Sequence, residues 1–139
     1  MAVSDDAKRQ LVDHIMLQVF DDRYIDRTEE KKILEEGVKI GISVAEGQAI
    51  IQQVASEKGL ALEREAEGRA KEMLERFSSN DGKVDKKEFE DTLALFKSAT
   101  KGKLPEPELK KRLKKMMEDN GWKAKEGGLF GSKWYSAIS

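Results

Sequence analysis

Apolar side chains recur every three or four positions along nearly the whole chain and nowhere alternate over a strand's length, so the pattern predicts helices throughout. Ser4 is a good N-cap, with Asp5 and Asp6 placed to meet the positive end of a first helix running to about Phe20. Leu11, Ile15 and Val19 make its stripe, widened by Val12, Met16 and Phe20. Asp26 with Glu29 has capping-box spacing and opens a second helix that turns Ile33, Leu34 and Val38 inward, with Gly37 or Gly41 as its end. Ser43 with Glu46 opens a third, carrying Ala49, Ile50, Val54 and Ala55 to a stop at Gly59. A fourth spans about Leu62 to Phe77 and presents Ala66, Ala70, Met73, Leu74 and Phe77. Asp85 with Glu88 opens a fifth, which carries Phe89, Leu93 and Phe96 and ends before Gly102. The sixth starts at Pro105 or Pro107, aligns Leu109, Leu113, Met116 and Met117, and ends at Asn120-Gly121. The expectation is an all-α fold of about six helices.

Two stretches resemble one another. Phe20-Asp21-Asp22-Arg23-Tyr24-Ile25-Asp26 and Phe77 through Asp85 each run from a helix ending in Phe, through a short acidic turn, to a β-branched residue and an Asp-x-x-Glu cap. The chain therefore reads as one domain over 1–121 made of two pseudo-repeated helix–turn–helix halves, about 4–60 and 61–121, with the sixth helix appended as a C-terminal helix. Residues 122–139 read as a tail, rich in glycine yet holding Phe130, Trp134 and Tyr135. Such aromatic content suits a segment docked on the bundle or on a partner as well as a flexible one.

The acidic turns admit two explanations. Capping alone accounts for them: the β-branched residue folds under the turn while the Asp and Glu close reciprocal hydrogen bonds, each cap contributing about 1 kcal/mol. The other reading is a metal loop. With Gly82 at the sixth position of an EF-hand loop, Asp81, the Lys83 carbonyl, Asp85 and Glu88 fall at ligand positions five, seven, nine and twelve. Phe77 then stands where an Asp is needed. In the first turn the candidates are Asp21, Asp22, Asp26 and Glu29, with Arg23 in the glycine position. So few carboxylates, some committed to capping, predict at most a weak Ca²⁺ or other divalent-cation site.

The paired pattern Asp-x-x-Tyr-Ile-Asp-x-x-Glu and Asn-Asp-Gly-Lys-Val-Asp-x-x-Glu resembles the TerB-like group over about residues 4 to 120. That group includes tellurite-resistance proteins and DnaJ-type co-chaperones. The second turn matches its Ala-Asp-Gly-type corner well, and the first departs by lacking glycine. EF-hand relatives with decayed loops fit nearly as well. Either resemblance implies a helical bundle with acidic turns that acts by binding rather than by chemistry, and a Ca²⁺-responsive switch is the alternative.

Composition narrows the chemistry further. There is no cysteine and a single histidine, which removes disulfides, thiolate sites and His-cluster metal sites. His14 lies beside the first helix's stripe as a boundary residue. No phosphate loop, HExxH or Gly-x-Ser-x-Gly motif is present, so an enzyme acting through carboxylates is the least supported reading. Leu, Ile, Val and Phe total 32 of 139 residues, only a little above the roughly 20% below which chains tend to stay unfolded, so the core is thin.

Net charge is −1, but residues 100–139 hold ten basic and five acidic side chains. Lys110, Lys111, Arg112, Lys114 and Lys115 stand opposite the apolar stripe of the sixth helix. They make a solvated face, or dock on an acidic protein partner or on the chain's own acidic part. With a pI near 6.0, a nucleic-acid partner is disfavoured. Together with Phe130, Trp134 and Tyr135 they are the candidate partner-binding residues. No secretory signal or apolar span is visible, which leads to the expectation of a cytoplasmic protein of bacterial type without membrane insertion.

Overall fold

The computed structural model describes residues 3–19, 23–126 and 133–138. It contains six helices, α1 Asp5–Gln18, α2 Arg27–Lys39, α3 Val44–Lys58, α4 Glu63–Ser78, α5 Lys86–Ala99 and α6 Glu106–Asp119, and is all-α in class. Among the described residues they are joined by four very short strands, β1 Tyr24–Ile25, β2 Ala61–Leu62 and β3 Lys83–Asp85 between helices and β4 Lys123–Lys125 after α6. Periodicity cannot register strands of two or three residues, so the helix-only pattern misses them. Residues 123–125, read above as tail, are thus part of a sheet. Among the described residues no helix is long and apolar enough to cross a membrane.

The helix starts follow local chemistry. Asp26, Ser43 and Asp85 each accept from the backbone N–H three residues on, while Glu29, Glu46 and Glu88 accept in return from the N-cap N–H, three complete capping boxes. Ser4 caps α1 through the Ala7 N–H at 3.1 Å. Pro105 is the N-cap position of α6 and makes no side-chain cap bond.

The chain forms two compact units, Met1–Arg64 and Glu65–Ser139. The boundary falls in the first turn of α4 rather than at residue 60, because β2 pairs back onto β1 and belongs with the first unit. In the first unit Leu11, Ile15, Ile25, Ile33, Ile42, Ile51, Val54 and Leu62 make the core. In the second, Ala70, Leu74, Val84, Phe89, Phe96, Leu109, Leu113 and Met117 do so.

Each unit runs helix, strand, helix, helix, strand, and each strand pair is parallel, as two strands joined through intervening helices can be. Ile25 pairs with Leu62, and Val84 with Ala124. The Ala61 N–H donates to the Arg23 carbonyl at 3.0 Å, and the Lys123 N–H donates to the Gly82 carbonyl at 2.8 Å. At the ends of α3 and α6, Gly59 and Gly121 turn left-handed, and the following N–H bonds five residues back, Leu60 to Ala55 and Trp122 to Met117, both at 2.9 Å. The sixth helix is therefore the counterpart of α3 rather than an appendage.

Candidate functional site

The second acidic turn is built at the junction of α4, β3 and β4. Gly82 takes φ +71°, and its Cβ position is open, so the conformation alone calls for glycine. In the first unit Arg23 holds the equivalent place two residues before the β-branched residue, and it too lies in the left-handed region at φ +54°. Its guanidinium reaches back to donate to the Lys58 carbonyl at the end of α3. That contact ties the turn to a helix C-terminus whose carbonyls lack intrahelical donors.

The candidate ligands have definite partners. Asp85 Oδ1 accepts from the Glu88 N–H at 2.8 Å, and Glu88 Oε1 accepts from the Asp85 N–H at 2.9 Å. Asp26 and Glu29 do the same at 2.7 and 3.2 Å. Asp81 Oδ1 accepts from the Lys83 N–H at 3.0 Å, closing a small side-chain turn. Its other oxygen, Oδ2, meets the Lys125 ammonium at 2.8 Å.

The hydrogen bond from Lys125, with the Lys83 N–H adding to it, holds the Asp81 carboxyl below the ordinary aspartate value of 3.8. Lys125 is raised above 10.5 by the same contact, and the charges of Glu88 and Asp85 add to it. The acidic corner thus already faces a positive charge from its own chain. Among the described residues no three His, Asp or Glu side chains converge as a metal-binding group. Asp21 and Asp22 lie outside the described residues.

The basic residues of α6 separate into different environments. Arg112 bonds Glu67 of α4 at 3.0 Å and Glu108 one turn back at 3.1 Å, so it acts between helices. Lys115 pairs along the helix with Asp119 at 3.4 Å. Lys111 is exposed, and Lys110 is half-buried beside a cleft. Lys114 donates to the carbonyls of Tyr135 and Ile138 at 3.3 and 2.9 Å and lies 4.8 Å from the Tyr135 ring centroid. Arg112 and Lys114 are therefore engaged within the second unit rather than offered outward.

Trp134 and Tyr135 are docked on that unit. The Trp134 ring lies 5.0 Å from Phe89, and its Nε1–H donates to the Lys125 carbonyl at 3.2 Å. The Tyr135 hydroxyl donates to the Lys114 carbonyl at 3.4 Å, and burial pushes its pKa up. The Ser136 hydroxyl and N–H both donate to Glu126, at 2.6 and 3.2 Å, which lowers the Glu126 pKa. Phe130 lies outside the described residues.

Sequence reasoning passed over Lys125, Glu126, Glu63 and Arg64. Aligning Gly59-Leu60-Ala61-Leu62-Glu63 with Gly121-Trp122-Lys123-Ala124-Lys125 would have exposed the paired strands and set Glu63 beside Lys125. Glu63, buried, accepts from the Arg27 N–H at the start of α2 at 3.0 Å. Buried Glu30 accepts from Arg64 at 2.8 Å.

The exposed large apolar side chains among the described residues are Met16, Leu17, Val38, Ile40 and Val44, all in the first unit, so Met16 and Val38 stand outside the inward stripes expected of α1 and α2. Met16 and Leu17 border a shallow depression with Val19, Arg23, Lys58 and Leu60. Comparisons with family models, with curated proteins and with solved structures find no match to this chain.

Proposed function

We propose that the protein is a non-enzymatic binding or scaffolding module that engages a protein partner through its first unit. One observation carries this reading: every exposed large apolar side chain among the described residues belongs to that unit, with Leu17 74% and Val38 55% accessible. Exposed apolar side chains that adjoin one another mark association surfaces, and Met16 and Leu17 adjoin at one depression of that unit. The committed state of the turn carboxylates fits the same reading, because side chains engaged in caps and an ion pair hold a shape. The TerB-like resemblance and a cytoplasmic, bacterial setting belong to this proposal as well.

The test is quantitative capture. Leu17→Glu and Val38→Glu, each checked for native helicity, should recover at least tenfold less of a partner than the native chain does. Equal recovery by both variants would remove the first unit from the contact.

A second reading concerns the corner at Asp81. A divalent cation there would compete with Lys125 for the Asp81 carboxylate, so binding would be weak and would shift the amides of residues 80–88. Titration with Ca²⁺, Mg²⁺ and Zn²⁺ separates the cases. Millimolar responses confined to that segment fit a weak site, micromolar saturation spreading into the core fits a Ca²⁺ switch, and silence leaves capping alone.

A further inference from the structure

Residues 133–138 form a turn laid against the second unit, closed by the Ala137 N–H bonded to the Lys133 carbonyl at 3.1 Å. Trp134 and Ile138, four residues apart, fall on one face of that turn. Both form part of the wall of a cleft of about 380 Å³ left open beside the segment, with Phe89, Leu93 and Lys110 also lining it. The Lys114 ammonium donates to the Tyr135 and Ile138 carbonyls of the turn at 3.3 and 2.9 Å. Every feature of this contact is one that a separate peptide could reproduce: an aromatic anchor, an aliphatic side chain one turn on, and carbonyls ending at a lysine.

The contact is also slight. Six described residues are held by two aromatic rings, one isoleucine and a few hydrogen bonds, and Trp134, Tyr135 and Ile138 all remain partly accessible. Covalent attachment through a short tether acts like a local concentration on the order of millimolar, so even a weak contact stays mostly closed.

We propose that α5, α6 and β4 form a peptide-receiving groove, whose resident occupant is the chain's own segment 133–138. A partner segment with the pattern aromatic–aromatic–x–x–aliphatic in one such turn displaces it. The resident segment then sets a threshold: a competing segment binds only when its affinity exceeds what the tethered copy achieves. This groove lies in the second unit and does not depend on the partner-facing role of the first.

The experiment uses the capped hexapeptide Lys-Trp-Tyr-Ser-Ala-Ile and the full-length chain. In the Trp134→Ala/Tyr135→Ala double variant the groove is vacated, and the peptide should shift the amides around Phe89, Leu93 and Lys114. Its affinity for that variant should be at least about ten times its affinity for the native chain. Equal affinity for both proteins, or no binding to a folded variant, overturns the proposal.

Should the variant not fold, hydrogen exchange on the native chain decides. The Ala137 and Ile138 amides should exchange at least a hundredfold faster than those of Phe96 and Leu113. Exchange at the same rate would make the segment an integral part of the unit and refute the exchange model. Dimers of the native chain that dissociate on addition of the hexapeptide would assign the groove to a second copy and likewise overturn it.

Discussion

Arg23 and Gly82 occupy one backbone conformation with unequal ease. A left-handed residue with a side chain costs roughly 1–2 kcal/mol relative to glycine, and at Gly82 nothing crowds the Cβ position to complicate the comparison. Gly82→Ala should therefore lower stability by about 1 kcal/mol in urea unfolding. Arg23→Gly should raise it by less than that, because the variant surrenders the contact with the Lys58 carbonyl. Changes of the same sign at both positions would show that the two turns are not equivalent. Arg23 was legible in the sequence as the residue in the glycine place, since local spacing defines that place. Its bond to Lys58 was not, because the two meet only after α2 and α3 have folded.

Asp81 supplies a pH prediction at the same scale. Its folded value is depressed, so the Asp81–Lys125 contribution is complete above the ordinary value of 3.8 and fades as pH falls through the lower folded value. Lys125 is raised, so the same contribution persists at least to pH 10.5 and fades only above it. A carboxyl titration followed by NMR should place the Asp81 midpoint below 3.8, and Lys125→Ala should return it toward that value. An unchanged midpoint in the variant would remove Lys125 as the cause.

At the scale of elements, the capping boxes decide where helices begin. Asp85→Ala removes the acceptor for the Glu88 N–H and should cost about 1 kcal/mol, readable as a lowered urea midpoint with an unchanged m-value. Starts at Asp26, Ser43 and Asp85 could be read from the sequence because both partners of each reciprocal bond lie three residues apart. The strands could not. Tyr24 and Ile25 find Ala61 and Leu62 only across two helices, and a pair of residues leaves no period to detect. The same distance hid the fate of the basic helix face. Arg112 reaches Glu67, 45 positions earlier, so a charge that looks solvated on a helical wheel proves to join two helices.

For the whole molecule, two separate cores suggest two cooperative steps. Trp122 and Trp134 both belong to the second unit, so tryptophan fluorescence reports that unit while far-ultraviolet circular dichroism reports both. Ile51 is fully buried in the first core, and Ile51→Ala should cost about 2–5 kcal/mol there. The variant should unfold earlier by circular dichroism and leave the fluorescence midpoint in place. A matching shift in both signals would mean that the units melt as one.

Repetition carries a hazard, since similar strands in one chain can join the wrong mates during folding. Glu63 and Lys125 hold equivalent places at the ends of the two second strands, yet their charges are opposite, and each suits its own corner. If β4 joined β1, an ammonium would arrive at the Arg27 N–H, setting donor against donor beside the positive start of α2. If β2 joined β3, a carboxylate would arrive beside Asp81, which would have lost its counter-charge. One inverted charge thus sets an electrostatic cost on either crossed pairing.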